Sequence, residues 1–186
     1  MRLTTRGRYA VTALLDLALQ DNNPDAAVSL SDIAKRQSIS ISYLEQLFSK
    51  LRKNGLVTST RGASGGYHLA KPLDQIDVMT IISAVDESVN AMQCEGRGDC
   101  QGGAMCLTHD LWCALSNHIE QYLQNISLAQ LLKMENVKDI SIRQKLLLEQ
   151  AHLEESISKN SSKNKATSNK DISTITLIST SEVSPA

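Results

Sequence analysis

Apolar residues recur at three- and four-residue intervals through Tyr9, Ala10, Ala13, Leu14, Leu17 and Ala18, which predicts an amphipathic opening helix. Asn22, Asn23 and Pro24 break that rhythm. A short helix is predicted next, with Ser29 and Asp32 in a capping arrangement and Leu30, Ile33 and Ala34 turned inward. Ser38-Ile39-Ser40 reads as the turn after it. A longer run then carries Leu44, Leu47, Phe48 and Leu51 on one face and predicts a helix from about Ser42 to Asn54. Ser42 with Glu45, or Ser40, caps its start, and Gly55 ends it in the left-handed conformation that helix ends favour. Two helices joined by a tight connection, the second the longer, make a helix-turn-helix.

Past Gly55 the pattern changes from helix to strand. Leu56-Val57-Thr58-Ser59-Thr60 and Tyr67-His68-Leu69 flank a loop containing Gly62, Gly65 and Gly66, which predicts a two-stranded wing with Arg61 at the loop entrance. After Pro72 helical spacing returns with Met79, Ile81, Ile82 and Val85. A long helix is then expected from Thr108 to about Asn125. Its Leu111, Leu115, His118, Ile119, Tyr122 and Leu123 offer more apolar surface than a small winged domain needs. A partner helix in a homodimer is the economical cover, and a helix folded back on its own domain is the alternative. The fold class is therefore mainly α: a winged helix-turn-helix DNA-binding domain with a long dimerisation helix and a small two-stranded wing. The regions expected are 1–75 for DNA binding, 76–135 for helical dimerisation with the ligand segment, and 136–186 as a flexible tail. In that tail ISKNSSKNKATSNK is polar and poor in aromatics, and ISTITLI is too isolated to found a second domain.

The formal charge of the whole chain is only -1, but it is unevenly spread. Up to Ala70 the bases Arg2, Arg6, Arg8, Lys35, Arg36, Lys50, Arg52, Lys53 and Arg61 outnumber Asp16, Asp21, Asp25, Asp32 and Glu45, which favours a polyanionic partner. Ser42, Tyr43 and Gln46, near the start of the longer helix, suit base edges or phosphates. Lys50, Arg52 and Lys53 suit the phosphate backbone. Glu45 is unusual on such a surface; it caps the helix, or accepts from cytosine and rejects other bases. Arg61 suits a narrow, electronegative minor groove if the loop points that way, and is otherwise an ordinary exposed arginine. The helix face and the glycine-rich hairpin are each common in isolation; their order and close spacing make double-stranded DNA the expected partner.

The run CEGRGDCQGGAMCLTH places Cys94, Cys100, Cys106 and His109 within one short glycine-rich segment. The first helix has Asp16 inside its apolar stretch and no cleavage signal, and no apolar run reaches membrane-spanning length. A cytoplasmic protein without membrane attachment is expected, and there grouped cysteines are ligands or reactive thiols more often than disulfides. Thiolates with an imidazole favour zinc, copper(I) or an iron-sulfur centre over hard ions. The two five-residue gaps lack the close cysteine pairs of ordinary zinc fingers, while three thiolates and one histidine give a 2Fe-2S centre one unit less negative than four thiolates do. Iron-sulfur, zinc and metal-free thiols all stay open on these residues. Cys113 reads as core, His68 and His118 as structural or surface groups, and His109 has a second reading as a helix-start hydrogen-bonding residue.

The stretches MRLTTRGRYAVTALLDLAL, SISYLEQLFSKLRKNGLV, RGASGGYHL, ISAVDES, CEGRGDCQGGAMCLTHDLW and NISLAQL together resemble the IscR family of iron-sulfur cluster regulators, which are bacterial winged-helix transcription factors. The resemblance covers about the first 135 residues. It implies a homodimer with one 2Fe-2S cluster per subunit held by Cys94, Cys100, Cys106 and His109. It also implies base contacts from Ser42 and Gln46, a minor-groove contact from Arg61, and control by Glu45 over which class of DNA site is accepted. Repression of cluster-assembly genes, operator choice that depends on the cluster, and loading by iron-sulfur assembly proteins follow from the same resemblance. Ala63-Ser64 departs from the family's more proline- and glycine-rich wing, which puts operator preference in doubt. A zinc-stabilised repressor and an iron-sulfur storage or transfer protein are the competing functions. No nucleophile-base arrangement accompanies the ligands, so an enzyme is not expected.

Overall fold

The computed structural model describes residues 4–20, 27–62, 65–91, 94, 96–146 and 149–150. The Asn22-Asn23-Pro24 break, the Ala63-Ser64 wing tip and the two tail segments lie outside the described residues. The chain divides into two compact units, Met1–Ile142 and Arg143–Ala186, and everything that follows belongs to the first. No described helix is long and apolar enough to cross a membrane.

Helix α1 (Thr5–Gln20) buries Ala10, Ala13, Leu14, Leu17 and Ala18 of the stripe that its periodicity predicted, while Tyr9, at the start of that stripe, is exposed. Helix α2 (Leu30–Gln37) starts at Ser29, whose hydroxyl accepts the Asp32 amide at 3.2 Å, so the expected cap is present. Ser38 closes α2 in the left-handed region, φ 54°, and turns the chain into α3 (Ile41–Lys53). The N-cap of α3 is Ser40 and not Ser42, and its side chain makes no capping hydrogen bond. Ser42 therefore sits in the first turn, Glu45 and Gln46 follow in the second, and all three are exposed. Leu44, Leu47, Phe48 and Leu51 bury the opposite face of α3 against α1 and α2.

Strands β1 (Val57–Thr60) and β2 (Gly66–Leu69) pair antiparallel, with Val57 opposite Leu69 and Thr60 opposite Gly66. The wing is anchored on both sides. Tyr67 packs edge-on against Phe48 of α3, with centroids 4.8 Å apart, and exchanges backbone hydrogen bonds with Val28 at 2.8 and 3.1 Å. A Cβ at Gly66 would lie 2.5 Å from the Val28 carbonyl oxygen, so only glycine admits this close approach.

A 3-10 turn at Leu73–Gln75 leads to α4 (Val78–Ala84), capped by Asp77 through the Thr80 amide at 2.7 Å. Further on come α5 (His109–Gln124) and the short α6 (Leu128–Leu132), whose Ser127 and Gln130 form a capping box. Leu128 belongs to the main core, while Ile119 and Leu123 of α5 pack on Val78, Ile82 and Val89.

The turn after α4 grips the start of the chain. Glu87 accepts the backbone amides of Thr4 and Gly7, serving the unpaired N–H groups at the start of α1. Partial burial disfavours its charge, but the hydrogen bonds from Thr4 and Gly7 outweigh burial and hold the carboxyl below its ordinary 4.5. Since folding depresses this pKa, the stabilisation is complete above the unfolded value and fades as pH falls through the lower folded one. Glu87→Gln is expected to cost about 1 kcal/mol at neutral pH, the scale of a lost cap, and the gap to wild type should close in acid. Thermal unfolding of both proteins across acidic and neutral pH checks this; a gap that stays constant in acid refutes the charged cap.

Candidate functional site

The ligand segment reaches α5 through a loop built on left-handed backbone. Gly96, Gly98, Gly102 and Gly103 have φ of 86°, 76°, 57° and 94°, values that side-chain-bearing residues rarely take. With these reversals Cys94 and Cys100 fold back over the first residue of α5, His109. The Cys94 and Cys100 sulfurs lie 3.3 Å apart, and His109 Nδ1 is 3.6 Å from the first and 3.2 Å from the second. The three donor atoms all fall within 4.8 Å of one another. Cys106 lines the same pocket, of about 260 Å³, together with Ala91, Thr108 and Trp112, but it is not one of that tight triple. Its sulfur instead faces the Thr108 hydroxyl at 3.7 Å. Cys113 is half-buried one turn along α5, outside the group, and accepts only a long contact from Asn117 at 4.0 Å.

The thiols are electrically distinct. A hydrogen bond from the Cys100 thiol lowers Cys94 to about 7, helped by the Gly98 and Gly96 amides and by His109, against the cost of burial. Cys100 moves up: a backbone hydrogen bond at Cys106 pulls it down, but its donation to Cys94, burial and the Cys106 side chain outweigh that. Cys106 moves down, chiefly through the Thr108 hydroxyl. A thiolate is the form that binds metal, so this pocket is prepared for a soft or borderline centre. No carboxylate lines it among the described residues, which leaves the donor chemistry to sulfur and imidazole. The donor set fits an iron-sulfur or zinc centre and does not fit a hard, oxygen-seeking ion.

The pocket is braced towards the rest of the fold. Ser116, the one buried residue of α5, accepts the Ala91 amide at 2.9 Å, and its hydroxyl lies 3.2 Å from Asn90 Oδ1. The segment through Asn90 and Ala91 is thereby tied to the helix that carries His109.

On α3 the residues expected to meet DNA separate into distinct settings. Ser42, Glu45 and Gln46 are exposed in its first turns. Tyr43 is half-buried, its ring edge-on to Tyr9 of α1 with centroids 5.9 Å apart, so only part of it faces outward. Lys50 pairs with Asp86 at 2.7 Å, and Arg52 donates to Ser59 of the wing at 3.2 Å. Lys53 is exposed at the C-terminal end of α3, and Arg61 is exposed where the wing loop begins. The Lys50 ammonium holds the Asp86 carboxyl below its usual range. Asp86, Glu87 and the buried partner of Arg36, Asp16, are contacts that sequence reading missed. Their spacing carried no signal, because each pairs with a different element.

Helix α3 on a two-stranded wing, followed by a thiolate-imidazole pocket at the head of α5, defines a winged helix-turn-helix regulator with a soft-metal site. The chain belongs to the Rrf2 family, described as iron-dependent transcriptional regulators, which it matches over residues 3–134. It is 58% identical over 144 residues to the HTH-type transcriptional regulator IscR of Cronobacter sakazakii, covering 77% of this chain and 88% of that one. It is 56% identical over 153 residues to the same-named regulator of Vibrio campbellii, covering 82% and 89%. Among solved structures it resembles T. potens IscR, with a TM-score of 0.57 and 39% identity over 72% of this chain and 87% of that one. It also resembles CymR, the global cysteine regulator of B. subtilis, with a TM-score of 0.60 and 30% identity over 70% and 95%. The chain is thus an iron-sulfur-sensing, DNA-binding transcriptional regulator, not an enzyme.

Proposed function

We propose that the protein is a cytoplasmic homodimeric regulator carrying one 2Fe-2S cluster per subunit on Cys94, Cys100, Cys106 and His109. Its main action is to repress iron-sulfur assembly genes. The observation that carries the cofactor reading is the convergence of Cys94, Cys100 and His109 in one pocket, with Cys106 on its wall. The cluster would add a redox-sensitive, oxidant-labile group, and the four side chains hold and orient it. Residues 1–75 read the operator, and 76–135 pair the subunits and carry the ligands. Ser42, Tyr43 and Gln46 contact base edges or nearby phosphates, while Lys50, Arg52 and Lys53 contact the backbone. Arg61 enters the minor groove, and Glu45 decides which operator class is tolerated. Iron-sulfur assembly proteins supply the cluster.

Preferential cluster binding to one arrangement of the ligand loop shifts the population of DNA-binding geometries, which makes operator choice depend on the cluster. Asp86 and Glu87 support such coupling, because the turn they form touches Lys50 of α3 and the start of α1, a few residues before Cys94. A zinc-stabilised repressor is the second reading, favoured by the tightness of the Cys94-Cys100-His109 triple, which suits a single tetrahedral ion.

One experiment separates the readings. Protein purified without oxygen should contain equal amounts of iron and acid-labile sulfide, two of each per subunit. Removing them should change relative affinity for different operators at fixed salt, a condition that phosphate contacts make essential. Zinc without sulfide supports the second reading, and operator preferences indifferent to cluster removal refute cluster-dependent selectivity.

A further inference from the structure

We propose that Thr108 tunes the ligand Cys106, and that Trp112 holds the Thr108 hydroxyl in the orientation this needs. The inference rests on the ligand set proposed above. Thr108 stands at the N-cap of α5, where a threonine hydroxyl ordinarily accepts a backbone amide of the first turn. Here it makes no such bond. The side chain is turned to two other partners: Trp112 Nε1 at 3.1 Å and the Cys106 sulfur at 3.7 Å.

The direction of both bonds follows from their chemistry. An indole N–H only donates, so the Thr108 oxygen must accept from Trp112. The hydroxyl keeps one hydrogen to give. A cysteine that ligates metal is a thiolate and has no hydrogen to donate, so the Thr108 O–H is the donor in the second bond. Trp112 thus takes up an oxygen lone pair on one side and leaves the proton directed at sulfur on the other.

A hydrogen bond to a ligating sulfur draws electron density from it, and such bonds are among the factors that set the potential of an iron-sulfur centre. With the hydroxyl in place, acceptance of one electron at the site is easier than without it. Cys94 and Cys100 face each other and His109 instead, so this influence falls on Cys106.

The test uses the full-length protein in both forms and the variants Thr108→Val, Thr108→Ser and Trp112→Phe. The chain has a single tryptophan, so its indole N–H gives one proton resonance. In cluster-free protein, Thr108→Val should shift that resonance upfield and speed its exchange, and Thr108→Ser should restore it. In cluster-loaded protein of equal iron and sulfide content, Thr108→Val should move the midpoint potential in the negative direction. The reduced-to-oxidised ratio at a fixed potential then falls several-fold. Thr108→Ser should return it to the wild-type value, and Trp112→Phe should give a smaller shift of the same sign. If Thr108→Val does not hold the cluster, Trp112→Phe carries the reading by itself. Potentials equal to wild type in the loaded variants overturn the inference and leave the ligand set standing. Wild-type protein without iron and sulfide overturns the cluster reading on which the inference rests.

Discussion

Replacing Asp16 with alanine is expected to cost about 3–5 kcal/mol, a large fraction of the total stability of a domain this size. Asp16 is 3% exposed in the middle of α1, and its carboxylate faces α2. The Arg36 guanidinium donates to it through Nε at 2.9 and 3.1 Å and through Nη2 at 2.7 Å, and Gln37 adds a further hydrogen bond from its amide. Alanine removes the acceptor and leaves a guanidinium, itself only 16% exposed, without its counter-charge. Most of the loss is the desolvation of that orphaned charge, so the double replacement Asp16→Leu with Arg36→Leu should recover much of it. Urea unfolding at constant m-value measures both effects. A loss below about 1 kcal/mol for the single variant would place the pair among weakly contributing surface ion pairs. The pair fixes α2 on α1, so the stable double variant also separates a stability defect from a defect in presenting α3 to DNA.

Asp16 illustrates which features were legible in the chain and which were not. The faces of α1 and α3 could be read because burial repeats with the helical period, and the same residues, Leu14, Leu17, Leu44 and Phe48, are fully buried. The wing could be read because strand-type residues flank glycines. Asp16 shows in the sequence only as a charge inside an apolar stretch, since its partner lies twenty residues on, in another helix. The cap of α3 was ambiguous because Ser40 and Ser42 both stand at a plausible start, and backbone geometry chose Ser40. Lys50 carried the charge expected of a phosphate contact, but nothing local announced Asp86, which reaches it only through the turn after α4. In the metal pocket, residue type and spacing were enough to group Cys94, Cys100 and His109. The turning of Cys106 towards Thr108 depends on the conformation of the loop, and so escaped the spacing.

The broad apolar side expected of α5 separates into two faces with different fates. Ile119 and Leu123 pack on α4 and Val89, whereas Leu111, Leu115 and Tyr122 are 62%, 40% and 66% exposed. The exposed three follow a spacing of four and seven residues, the seam of a helix that packs on another helix. His118 lies on the same side and is also exposed, its Nδ1 2.9 Å from the Ala114 carbonyl. Fold-back of α5 therefore accounts for only part of its apolar surface, and the homodimer proposed above accounts for the rest. Leu115→Glu would place a charge at the centre of that seam without touching Ile119 or Leu123. The variant should sediment as a monomer at concentrations where the wild type is a dimer, with its secondary structure unchanged. A two-fold operator joins two half-sites about 34–36 Å apart, and a monomer can engage only one of them at a time. Affinity for the full operator should then fall by on the order of 10²–10⁴, while affinity for an isolated half-site should stay near its wild-type value. A Leu115→Glu protein that remains dimeric and keeps its full-operator affinity would move the subunit contact away from this face of α5.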